Sequence, residues 1–209
     1  MVNRTLAALA AAAVVAAALP LAAQGAPYHI RGTLAGVDGS KLTIATDDGM
    51  SKTATLNDDA RVFVVDRATI DDIKRGQFVG ITSVYAEGEA TALEVHIFEE
   101  ALRGLAEGHY PWDLVEEENM MTNAGIAKLV EVGKDRKLTV TYVEGEPTTR
   151  KVGMQEITVS PDAKVVGFFT ADRGALATGQ RVFLLAVDTD AGIAVPAMVI
   201  GRNGVEPPM

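Results

Sequence analysis

Leu42 and Ile44 alternate with Lys41, Thr43 and Ala45, and a period of two marks a half-buried strand. Alternation or a β-branched run recurs along most of the chain. Residues 29–37, 41–46, 51–56, 61–65, 77–85 and 91–98 read as strands. Turn signals at Asp38-Gly39, Asp47-Asp48-Gly49 and Glu87-Gly88-Glu89 separate them. Between the fourth and fifth strands the period changes. Over residues 68–74, Ile70 and Ile73 share one face, Thr69 is placed to N-cap, and Asp71 and Asp72 sit at the positive end. Gly76 closes this single helical turn as a C-cap. A second series follows in the same order at 126–132, 138–143, 148–152, 155–159, 165–168, 181–187 and 194–200, with a short helical element at 172–177.

The order recurs because the chain repeats itself. Lys41-Leu42-Thr43-Ile44 returns as Lys137-Leu138-Thr139-Val140. Asp59-Ala60-Arg61-Val62 returns as Asp162-Ala163-Lys164-Val165, and Gly76-Gln77-Phe78-Val79 as Gly179-Gln180-Arg181-Val182. The last two pairs are 103 residues apart and the first 96, so seven extra residues fall between Gly145 and Asp162. A duplicated unit with one loop insertion accounts for this. The expected fold is all-β: two small OB-like β-barrels in tandem, each with one short helical turn, joined by an ordered linker. The first barrel is expected over 29–98, the linker over 99–122 and the second barrel over 123–202. A Pro- and Gly-containing tail at 203–209 is expected to be disordered.

These motifs resemble a family of exported bacterial repeats of unknown function. Its pattern is an opening Gly-x-hydrophobic, a Leu-Thr-Val/Ile strand, Asp-Ala/Thr-x-Val, hydrophobic-x-x-Gly-Gln-x-Val, and a closing Ala-x-x-Val/Ile. In this chain these are Gly32-Thr33-Leu34, Leu42-Thr43-Ile44, Asp59-Ala60-Arg61-Val62, Ile73 to Val79 and Ala92-Leu93-Glu94-Val95. The second copy matches through Gly125-Ile126, Leu138-Thr139-Val140, Asp162-Ala163-Lys164-Val165 and Gly179-Gln180-Arg181-Val182. It departs at its closing strand, Pro196-Ala197-Met198-Val199. The resemblance implies a barrel repeat and no activity, because its motifs are turn and core residues.

Residues 1–25 read as a signal peptide. Arg4 precedes an uncharged Ala/Val/Leu run over 6–19, Pro20 breaks it, and small residues follow at Ala22, Ala23, Gly25 and Ala26. The run is shorter than the roughly 20 apolar residues of a spanning helix, so cleavage between 23 and 26 and a periplasmic or secreted product are expected. No later stretch is apolar enough to span. The net charge of −9 argues against nucleic acid and anionic membrane as partners. Another exported protein or a cell-envelope component fits better. With no cysteine, thiol nucleophiles, thiolate metal sites and disulfides are excluded.

The unrepeated linker is where specific chemistry is expected. It holds the only Trp, one of the three His, and the Met120-Met121 pair. Three readings stand side by side. His109, Met120 and Met121 offer imidazole and thioether donors suited to a soft cation such as copper, though nothing in the sequence requires one. Adjacent methionines on a strand point to opposite faces, so only one of them joins His109 easily. Tyr110, Trp112 and Asp113 offer an aromatic binding platform. Alternatively Tyr110, Pro111 and Trp112 plug the groove between barrels, with His109 a hydrogen-bonded wedge and the Glu116-Glu117-Glu118 run solvated. His96, alternating with Val95 and Ile97, is expected to face solvent or the linker; His29 lies near the mature start. Catalysis has no motif behind it: there is neither Gly-x-Ser-x-Gly nor His-Glu-x-x-His.

Overall fold

The computed structural model describes residues 25–145 and 148–209. Residues 1–24, and with them the expected export signal, lie outside the described residues, as do Glu146 and Pro147. The chain is all-β. Its strands are β1 (Tyr28–Asp38), β2 (Lys41–Thr46), β3 (Ser51–Arg67), β4 (Phe78–Ala86), β5 (Glu89–Phe98), β6 (Gly108–Trp112), β7 (Asn119–Val132), β8 (Asp135–Glu144), β9 (Lys151–Val159), β10 (Lys164–Ala171), β11 (Arg181–Thr189) and β12 (Gly192–Gly201). The helical elements are single 3-10 turns at Ile70–Asp72, Glu100–Leu102 and Arg173–Ala175.

The strands close, but not one repeat at a time. One ring runs β1-β2-β3-β12-β11 and back to β1. The other runs β5-β4-β7-β8-β9, and closes through Ala90 and Thr91 of β5 against Ile157 and Thr158 of β9. Each ring therefore takes three strands from one repeat and two from the other. The tandem arrangement expected from the sequence, with one barrel over 29–98 and the next over 123–202, is replaced by an exchange of the last two strands. Matching positions of the two sequence series take matching partners in the two rings. Gly32 of β1 faces Val182 of β11, and its counterpart Ala124 of β7 faces Val79 of β4.

The exchange is organised where β3 meets β10. These strands pair antiparallel from Val62–Ala171 to Arg67–Val166, with Val65 opposite Phe168. Val65 and Phe168 are the same position of the two repeats, so a pseudo-twofold axis passes between them. β3 is one unbroken strand of 17 residues where two shorter strands are expected. Its residues 62–65 are buried on both faces. Val62 and Val64 enter the first barrel's core, beside Leu34, Leu42, Leu56, Leu184 and Ile200. Phe63 and Val65 point the other way, into a cluster between the barrels with Phe78, Phe98, Phe168, Phe183 and Val199. The second barrel is filled by Val79, Ile81, Val95, Ile126, Leu138, Val140, Ile157 and Val159.

The Gly-Gln motif locks the 3-10 turns that lead into the exchanged strands. Gln77 Oε1 accepts from Lys74 N (2.6 Å), and Gln77 Nε2 donates to Asp72 O (3.2 Å). Gln180 repeats this with Ala177 N (2.8 Å) and Ala175 O (3.1 Å). Gly76 and Gly179 precede them at φ of 88° and 92°, a conformation that costs glycine little. Thr69 donates its N–H and Oγ1–H to Asp72 Oδ2, which holds that carboxyl below its ordinary value.

Residues 203–209, expected to be disordered, are packed. Pro207 and Pro208 are buried, Arg181 Nη2 donates to Glu206 Oε1 (2.6 Å), and the Arg31 guanidinium donates to the Met209 carbonyl. The segment crosses directly over Gly201, where an added Cβ would lie 1.7 Å from Val205 O. Proline and glycine content signals a loop, but it does not register a groove able to hold one.

Because each ring needs both repeats, urea is expected to unfold the chain in one transition, the same by circular dichroism and by Trp112 emission. Gln180→Ala, which removes two hydrogen bonds at one turn, should shift that whole transition by about 1–2 kcal/mol. Two separable transitions would show the barrels to be independent.

Candidate functional site

The cluster on the pseudo-twofold axis holds five of the chain's six phenylalanines. Phe168 is its hub, 5.1 Å from Phe63 and 4.9 Å from Phe98 between ring centroids. On one side the packing is incomplete, leaving an apolar cavity of about 350 Å3 between the barrels. Phe63, Phe98, Phe168 and Phe183 form much of its wall, and His29, His96, Tyr110 and Trp112 complete it.

The linker supplies one side of this cavity because it folds as a hairpin. β6 pairs with the start of β7, with His109 opposite Thr122, Tyr110 opposite Met121 and Trp112 opposite Asn119. Strand alternation then sends Tyr110, Trp112, Met121 and Asn123 to the cavity face. His109, Pro111, Met120 and Thr122 take the other face. Asn123 fastens the hairpin to the connector: its Nδ2 lies 3.2 Å from Leu105 O, 3.1 Å from Ala106 O and 3.0 Å from Tyr110 Oη. Asn119 ties the hairpin loop through Val115 O and Glu117 O, and Glu116, Glu117 and Glu118 are exposed.

This divides the residues singled out by sequence. Tyr110 and Trp112 line the cavity, and the Trp112 ring lies 4.5 Å from His29 and 6.0 Å from Phe183. The rings fill the groove between barrels rather than forming an outer platform. Burial raises the Tyr110 phenol above its ordinary value. Asp113 lies beside the cavity, where Oδ1 meets His29 Nδ1 (2.8 Å) and Arg31 Nη2 (2.7 Å). Burial works to raise the Asp113 carboxyl, but these two partners outweigh it and hold it below the usual range.

Of the proposed ligands His109, Met120 and Met121, the pairing puts Met120 on the face of His109 and Met121 on the other, as strand alternation requires. Met121 is buried on the cavity face, while His109 is on the opposite face with Nδ1 2.9 Å from Thr122 Oγ1. The His109 ring stacks on Tyr142 at 5.8 Å, the wedge arrangement. Among the described residues no group of three or more His, Asp or Glu is placed to hold a metal ion.

The structure adds a buried polar chain that the sequence concealed. Glu94 and His96 are 0% and 1% exposed, on the face of β5 turned to the cavity region. Thr82 Oγ1 donates to Glu94 Oε1 (2.5 Å), and Glu94 Oε2 lies 3.3 Å from His96 Nε2, within ion-pair distance but poorly aligned for a hydrogen bond. Pro208 O approaches the same nitrogen at 3.4 Å. His96 is therefore turned away from solvent and toward the cavity whose other wall is the linker, the second of the two placements expected for it. The only hint in the sequence was an acidic and a basic residue two apart on a strand whose other face is apolar.

No family model, curated protein or solved structure matches this chain. The geometry alone carries the functional argument.

Burial holds the His109 imidazole below its ordinary value, against a smaller opposing pull from Glu144. The unfolded chain then takes up that proton first. Stability is expected to fall as pH drops from about 6.5 toward the folded value, and to be independent of this ring above 6.5. NMR titration of the His109 ring protons checks this, and a midpoint at or above the ordinary value would overturn it.

Proposed function

We propose that this chain is an exported, non-enzymatic binding module built from duplicated OB-like barrels, with the cavity between the barrels as its ligand site. Five-stranded closure with each repeat's penultimate strand entered from a short helical turn supports the OB-like reading. Export rests on residues 1–25, whose charged start, apolar run and small-residue end have the form of a cleaved signal. The observation that carries the binding reading is the cavity itself. Larger clefts exist elsewhere, such as one of about 500 Å3 beside Arg67 and Arg202, but their walls are far more polar, and the aromatic, apolar wall sets this space of about 350 Å3 apart. Its size is at the small end of the ~300–1,000 Å3 usual for small-molecule sites. The acidic chain argues against the nucleic-acid use of OB-like barrels.

The neutral apolar fluorophore N-phenyl-1-naphthylamine tests this directly. It is expected to bind with one-to-one stoichiometry and to quench the single tryptophan, Trp112, which lines the cavity. Trp112→Ala should bind it several-fold more weakly while keeping a cooperative unfolding transition. Absence of saturable binding by the unaltered chain would remove the cavity as a ligand site.

A further inference from the structure

We propose that the inter-barrel cavity takes an amphipathic carboxylate, with its apolar body among the phenylalanine rings and its anionic head on Arg61. The proposal rests on the cavity being a binding site and names the chemistry of what it binds.

The charge of the lining is the first argument. The chain carries 28 acidic against 19 basic side chains, yet among the described residues no Asp or Glu side chain lines this cavity. Its ionisable walls are Arg61, His29, His96 and Tyr110. The nearby carboxylates are held back from it: Asp113 is turned to His29 and Arg31, and Glu94 lies behind His96. Arg61 differs from the other arginines near the site. Its guanidinium lies over the Phe63 ring, 4.9 Å from the centroid, and among the described residues no carboxylate pairs with it. It is exposed at the edge of an apolar space, where a planar donor fork suits a carboxylate.

The second argument is an unmet donor. Trp112 Nε1 is buried without a hydrogen-bond partner. An indole N–H donates only, so the group that completes it must bring an acceptor. The third is the chain's own occupant. The Met209 side chain lines the cavity while its carbonyl oxygen is held by Arg31. An apolar side chain thus already enters the space, while the backbone oxygen of the same residue takes a basic partner beside it.

Three ten-carbon ligands separate the possibilities: decanoate, decan-1-ol and decylammonium, each titrated against Trp112 emission. Decanoate is expected to bind roughly tenfold or more tightly than decanol, the scale of one hydrogen bond to a charged group. Decylammonium should be the weakest. Arg61→Gln should erase the margin of decanoate over decanol, and Arg61→Lys should restore part of it. Equal binding of decanoate and decanol, preference for decylammonium, or a margin that survives Arg61→Gln would overturn the carboxylate proposal and leave the cavity as a binding site. Failure of all three ligands to bind would remove both.

Discussion

The antiparallel contact of β3 with β10 about Val65 and Phe168 is the constraint from which the rest of the fold follows. At this contact both repeats turn one face of a strand into a barrel and the other toward each other. A strand buried on both faces cannot carry the polar alternation of an outer strand, and residues 61–65 indeed lack it. From this crossing each chain segment leaves for the other repeat's ring. The barrels are thus joined by shared strands rather than by a linker, and the surface between them becomes a third core. The buried apolar side chains there are as much part of the fold as those inside either barrel.

Paired strands about a pseudo-twofold axis would give a symmetric interface if matching positions carried like residues, yet positions 103 apart differ in size here. Phe183 of one repeat corresponds to Gly80 of the other, Phe98 to Gly201, and His96 to Val199. At Gly80 an added Cβ would lie 2.6 Å from Asn123 Oδ1 and 3.1 Å from the Phe98 ring. At Gly201 the space is taken by Val205 O instead. Each glycine thus makes room for something from elsewhere: the linker hairpin on one side, the last residues on the other. Large rings facing these inserted segments, rather than facing their own copies, leave the packing incomplete on one side of the axis.

The strands and turns were legible because they depend on local signals. Alternation at 41–46, the Asp-Gly turns and the Gly-Gln steps report backbone conformation a few residues at a time. The exchange was not legible. Val182 has the same apolar character whether it faces β1 or its own repeat's β7, and alternation does not record the partner strand. His96 was expected to face solvent or the linker, and solvent fails because the face it shares with Glu94 and Phe98 is buried by the other barrel and by Pro208, neither adjacent in sequence. Trp112 and Tyr110 were found because they are rare residues in an unrepeated segment. Arg61 was passed over because it lies inside the repeated Asp-Ala-x-Val motif, where its counterpart is Lys164.

The linker and the final residues turn out to be variants of one element. Glu99 N donates to Phe168 O (2.9 Å) and Arg202 N to Val65 O (3.0 Å), the same bond across the axis. Leu102 N then donates to Glu99 O, and Val205 N to Arg202 O, each at 2.9 Å. Both segments begin as the same turn after the last strand of their repeat. Beyond it they part: one runs through Leu105 and Ala106 into the Tyr110–Trp112 hairpin, the other through Pro207 and Pro208 to Met209. Both converge on the cavity from opposite repeats. One supplies the aromatic wall and the other the segment that rests against it. In this way a ligand-sized space can arise without altering either barrel, because the residues that shape it lie outside the pattern that both rings need in order to close.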